Sequence, residues 1–253
     1  MAPHGFSAHE WQARQDLAAC YRLIAHFRMT DLIYTHVSAR IPGDEAILIN
    51  RYGMMFDEIR ASDLVRADLF GQPVQEVDAP INRAGFFIHG AVHEARPDVA
   101  CVIHTHTTAG IAVAAQQAGL LMLSQHAARF HGRLAHHDYH GVADDDAERR
   151  RLAHDLGDRL VMLLRNHGIL ACGRSIPEAF IEMHYLERAC QAQIAAQAGG
   201  APLRLLDDET AAQTARQFDA ARRRRLTSDG QSYTLEWAAL TRLLDRTDRS
   251  WRE

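Results

Sequence analysis

No lysine occurs among the 253 residues, so all 28 basic side chains are arginine. That absence excludes Schiff-base aldol cleavage, lysine-anchored pyridoxal chemistry and phosphate loops of the Walker type, each of which needs an amine. Cysteine is scarce, and Cys20, Cys101, Cys172 and Cys190 form no C-x-x-C pair. Free buried thiols in a reducing compartment fit this spacing better than disulfides or a thiolate zinc site. There is no run of about 18 apolar residues to cross a membrane, and the first twenty residues lack the apolar segment of a secretory signal. A soluble, cytoplasmic protein without a membrane partner is expected. Charge of one sign is also lacking: the net charge is −4, and the one basic run, Arg222 to Arg225, reads as a solvated helix face. No nucleic-acid partner is expected.

What the chain has is a 47% hydrophobic content, enough for a well-filled core, and 16 histidines. Histidine is the commonest metal ligand and titrates near neutral pH, so the excess points to metal or acid/base chemistry. The apolar periodicity predicts a first helix capped by Ser7 and running to about Met29, then strands at Ala46 to Asn50 and Leu64 to Phe70. A helix from Ala84 to Ala95 stops before Pro97, a strand covers Val99 to His104, and an alanine-rich helix covers Thr107 to Ala118. Two strands, Leu160 to Leu164 and Ile169 to Cys172, flank a tight turn at Arg165-Asn166-His167-Gly168, and a helix follows from Ile176 to Ala198. Strands enclosed by helices predict an α/β fold, a sandwich with helices on both faces of the sheet. The break at Gly199-Gly200-Ala201-Pro202 ends the main body, and Thr210 to Leu244 reads as two further helices.

His104 and His106 alternate on a strand, so both rings face one side about 6.5–7 Å apart along the backbone and can meet one ion. His167 sits in the turn between two buried strands, where a polar ring needs a partner. Three imidazoles leave coordination positions open, the pattern of a catalytic site, and zinc, manganese and iron(II) all suit them. Tyr34 to Ser38, which contains His36, reads as a ligand-binding connection between helix and strand. In the run Arg133 to Gly141, Tyr139 is a candidate proton donor, while the crowding of His136, His137 and His140 argues against metal binding there, because neighbouring residues of an extended segment point opposite ways. His89 and His93, four apart on one helix face, read as structural. Arg129, Arg133 and Arg165 are candidates to bind a carboxylate or phosphate.

In this order, the segments LIYTHVSAR, YGMMFDEIRASDLVRADLFG, ARPDVACVIHTHT, AHHDYHG and LLRNHGILACG resemble the class II aldolase/adducin family across nearly all of Leu17 to Gly200. The local sequence is most similar to the adducin head domain and bacterial adducin-like members, which share Asn82, Ala84-Gly85-Phe86 and HDYHG. The resemblance implies a three-layer α/β/α sandwich around a mixed, largely antiparallel sheet, formed by one domain over residues 1–253 with a core at about 17–200 and a helical extension at about 203–245. It also implies a homotetramer with sites between subunits, and one divalent ion per subunit, zinc foremost, held by His104, His106 and His167. Substrate contacts would fall to Ser38, Asn82 and Gly85. Where the family's phosphosugar aldolases carry a proton-moving glutamate this chain has Gly85, and where they carry an asparagine it has His36.

A metal-dependent lyase is the first expectation, cleaving a small hydroxy acid, oxo acid or sugar-like substrate by retro-aldol reaction or decarboxylation through a metal-stabilised enolate. His36 and Tyr139 would then carry the protons in place of the glutamate. The alternatives are an adducin-like oligomeric scaffold that has lost the reaction, and a non-heme iron oxygenase on the same frame.

Overall fold

In the computed structural model, which describes residues 5–74, 80–141, 146–224 and 234–253, the chain opens with α1 (Ala8–His26). Ser7 caps it, its hydroxyl accepting the Glu10 N–H at 3.1 Å. There follow β1 (His36–Arg40), β2 (Ile47–Ile49), β3 (Val65–Ala67), α2 (Arg83–Ala95), β4 (Cys101–Thr105), α3 (Thr108–Ala114) and α4 (Gln125–Ala128). The second half comprises β5 (Leu134–His137), α5 (Asp146–Leu156), β6 (Val161–Leu164), β7 (Gly168–Gly173), α6 (Ile176–Gln197), α7 (Asp208–Arg224) and α8 (Thr234–Thr247).

The seven strands form one sheet in the order β3-β2-β1-β4-β7-β6-β5, antiparallel throughout except for the β5–β6 pair. Side-chain alternation sorts each strand between two apolar layers. Val37, Ala39, Cys101, Ile103 and Ala171 join the larger core with α1, α3 and α6, while Val102, Leu170 and Cys172 pack with Ile88, Val92 and Leu152 of α2 and α5. This is the expected three-layer sandwich with a mixed, largely antiparallel sheet. Trp237 and Leu244 of α8 enter the larger core, and the Trp237 indole donates to Asp16 at 3.0 Å.

Three elements differ from expectation. The strand at β3 is shorter than Leu64 to Phe70 because the Asp68 carboxylate accepts the N–H groups of Phe70 and Gln72 and folds the chain into a turn. α3 stops at Ala114 rather than Ala118, where Gln193 of α6 takes the Leu121 N–H at 2.7 Å and donates to Gly119 O. β1 begins at His36, inside the stretch read as a connection. Arg222 is no solvated residue: its side chain is 14% exposed and lies 3.3 Å from Glu178, whereas Arg225 lies outside the described residues.

Candidate metal centre

His104 is the penultimate residue of β4, His106 follows the strand, and His167 stands in the β6–β7 turn across the neighbouring strand. The turn works because Asn166 adopts φ 56°, a left-handed conformation that asparagine tolerates, and because residue 168 is glycine. A Cβ at Gly168 would lie 2.4 Å from Thr105 O, 3.2 Å from the His106 ring and 3.3 Å from the His104 ring. Glycine therefore permits the turn to close on the two histidines.

The three rings converge through one nitrogen each. His106 Nε2 lies 2.9 Å from His104 Nε2 and 2.9 Å from His167 Nε2. His104 Nδ1 is held at 3.0 Å by Ile169 O, and His106 Nδ1 at 3.0 Å by the Asp31 carboxylate. Both acceptors place the proton on Nδ1 and leave an Nε2 lone pair pointing inward. Protonating the inner nitrogens is opposed: burial, then His167 and His106, push His104 well below the usual imidazole range, and burial, then His106 and His137, lower His167 to about 4. Lone pairs facing one another across 2.9 Å are accommodated by a cation among them, so the donor set fits a divalent ion bound by neutral imidazoles.

These three histidines line one wall of a cavity of about 380 Å³. His36, opposite His104 in the β1–β4 register, lines it too. His36 is 3% exposed, and neither ring nitrogen has a hydrogen-bond partner among the described residues. Burial, then the charge of His106, lowers its pKa to about 4, so it is neutral at pH 7. The strand start carrying it is pinned by Tyr21, whose hydroxyl lies 2.8 Å from Asn50 Oδ1, bonds Val37 O and accepts the Val37 N–H at 3.0 Å. Just before it, Thr35 has φ 69°, a costly conformation for a β-branched residue, and its buried hydroxyl has no partner among the described residues.

Tyr139 is half-exposed at the cavity mouth, its ring 6.1 Å from that of His167. Asn82 lines the cavity as the residue preceding α2, and its side chain makes no capping bond. Gly85 falls in the first turn of α2. Ser38 is placed elsewhere: fully buried, it does not line the cavity, and its hydroxyl lies 2.7 Å from His89 Nδ1 and 2.8 Å from His93 Nε2. Of the three candidate anion-binding arginines, only Arg165 lines the cavity. Arg129 is sealed against Glu182 at 2.7 Å, and Arg133 pairs with Asp219 at 3.1 Å.

Two contributions were missed from the sequence. Asp31, 75 residues from its partner, orients His106. His137 is gripped at both ring nitrogens, by Glu148 and Asp155 at 2.8 Å each, beside the cavity. Burial raises both carboxyls, but His137, together with Arg151 at Glu148 and His154 at Asp155, holds them below their usual range. The i+11 and i+18 spacings give no periodic signal.

Residues 15–194 match the family model for the class II aldolase and adducin N-terminal domain. The chain belongs to the class II aldolase/adducin family. A Pseudomonas aeruginosa relative described as an aldolase class 2 protein is 47% identical over 247 residues, covering 98% of this chain and 94% of the relative. Rat alpha-adducin is 42% identical over 193 residues, which covers 74% of this chain but only 26% of the adducin. The solved structure of L-fuculose 1-phosphate aldolase from Glaciozyma antarctica superposes with a TM-score of 0.80 at 25% identity, covering 100% of this chain and 97% of that one. Within this family the chain is thus similar both to an aldolase and to an adducin. Among the described residues no helix is long and apolar enough to cross a membrane.

Proposed function

We propose that the protein is a divalent-metal-dependent lyase acting on a small hydroxy acid, oxo acid or sugar-like substrate, by retro-aldol cleavage or decarboxylation. The observation that carries this reading is the convergence of three Nε2 atoms, two of them with Nδ1 held by an acceptor, on the wall of a cavity. His104, His106 and His167 would hold the ion, zinc foremost, with manganese and iron as alternatives. A bound ion supplies Lewis-acid polarisation of a substrate oxygen.

The remaining steps fall to the chain's own side chains. Arg165, the arginine on the cavity wall, binds a substrate carboxylate or phosphate, and the Asn82 amide orients the substrate's hydroxyl groups. His36, neutral with two unpartnered nitrogens, accepts a proton from the substrate at a ring nitrogen, the work done by a glutamate where the phosphosugar aldolases have one. The Tyr139 hydroxyl returns a proton to the product at the cavity mouth. Desolvation keeps His36 in the form this role needs.

Turnover of hydroxy-acid, oxo-acid and sugar-phosphate panels by protein loaded with zinc, manganese or iron(II) tests the assignment. Metal-dependent, dioxygen-independent product formation that His104→Ala abolishes supports the lyase. Consumption of dioxygen with iron(II) would replace it with the oxygenase. No turnover by metal-loaded protein would favour the scaffold, the reading that Gly85 and the adducin likeness support.

A further inference from the structure

At the end of the sheet away from the histidines lies a second cavity, of about 310 Å³, lined by six arginines and two aspartates, Asp158 and Asp219. Leu160 lines it, while Leu164 at the other end of β6 lines the histidine cavity. The two are therefore separated by the length of a four-residue strand, about 13 Å.

Three of its guanidiniums are committed. Arg96 makes a bidentate pair with Asp98, at 2.8 and 2.9 Å, and donates to Gly157 O at 2.7 Å and Arg159 O at 3.0 Å. Those bonds fix the backbone that presents Arg159. Arg133, just before β5, pairs with Asp219 of α7, and Arg222 lies 3.3 Å from Glu178, which ties α7 over the cavity. The other three, Arg159, Arg174 and Arg223, make no side-chain hydrogen bond or ion pair among the described residues. Against them the cavity wall offers one carboxylate that is likewise in no ion pair, Asp158.

Like charges gathered at one concavity repel and raise the local potential, and the arrangement is relieved by an anion that bridges them. Guanidinium forks match phosphate oxygens two at a time, and three uncommitted forks spread around one cavity exceed what a single phosphate engages. We infer that this cavity is a binding site for a multivalent phosphate, an anion of two or more linked phosphates, either inorganic or carried on a nucleoside. It is independent of the metal site.

Isothermal titration calorimetry of the full chain, treated with chelator at low ionic strength, tests this with pyrophosphate, tripolyphosphate, ATP and orthophosphate as probes. One saturable site per chain is expected for the linked phosphates, weakening with added salt and binding orthophosphate less well. Affinity should fall at least about tenfold in Arg159→Gln/Arg174→Gln, the loss expected for charge-assisted hydrogen bonds. Arg223→Gln, an exposed change that leaves the fold intact, should weaken binding in the same direction. His104→Ala should bind as wild type, which separates this site from the histidine cavity. ATP binding well above tripolyphosphate identifies a nucleotide ligand; equal binding identifies the phosphate chain itself. No saturable heat up to about 1 mM, a limit near −4 kcal/mol, or unchanged affinity in the arginine variants would overturn the inference.

Discussion

The Asp31 carboxylate lies 3.0 Å from Nδ1 of His106, on the far side of the ring from the nitrogen that faces His104 and His167. Asp31 thereby fixes the tautomer and the orientation of the central member of the cluster.

Replacing Asp31 with alanine should weaken divalent-metal affinity about 10- to 100-fold, with little change in folding, since the carboxylate is 44% exposed. Competition for zinc against a chromophoric chelator measures it. Unchanged affinity would mean that the His106 ring is held by packing alone.

Gly168→Ala should both destabilise the protein and cost it the metal. The added methyl group meets the Thr105 carbonyl at 2.4 Å, and the strand carrying His104 and His106 must shift to relieve it. A loss of about 1–3 kcal/mol in denaturant unfolding, typical of overpacking, is expected together with loss of bound metal.

The metal-free protein should lose stability as the pH falls from about 6.5 to 4. Burial, then the charge of His106, lowers His36 to about 4; burial, then the charge of Arg40, lowers His93 to about 3; and burial, then His36, pushes His89 well down. In this window the unfolded chain binds protons at these positions and the folded chain does not, so their contribution is complete above the unfolded pKa and is lost toward acid. Each group adds up to about 1.4 kcal/mol per pH unit to the slope. Chemical denaturation across this range should give a shallower slope for His93→Gln, and an identical slope would show that the cluster protonates freely.

Arg129→Ala should be among the most damaging single changes outside the cavity. The Arg129–Glu182 pair is sealed, with side-chain exposures of 4% and 1%, so removing the cation strands a buried carboxylate. A cost of about 3–5 kcal/mol is expected in urea unfolding.

Much of this was legible where the signal is short-range. The alternation in His104-Thr105-His106 and the Asn-His-Gly turn marked three residues that the fold brings together, and the Ser7 cap and Pro177 in a first turn marked helix starts. His136 is exposed and His137 buried, as neighbours in an extended segment must be. What was illegible depends on contacts far apart in the chain. Ser38 sits in a polar run that resembles a binding loop, yet the strand turns its hydroxyl toward His89 and His93, 51 and 55 residues away. Arg129 and Arg133 looked as available as Arg165 until tertiary pairing with Glu182 and Asp219 consumed them. Arg222 was misread because the acid that shields it, Glu178, lies 44 residues upstream.

The central claim is that His104, His106 and His167 form one metal site. Elemental analysis of the purified full-length chain, beside His104→Ala and His167→Ala, tests it most directly. The account predicts about one divalent ion per subunit in the wild type, whether as purified or after incubation with zinc, manganese or iron(II), and loss of that ion in both variants. A wild type that takes up none, or variants that retain it, would contradict the metal site and with it the lyase.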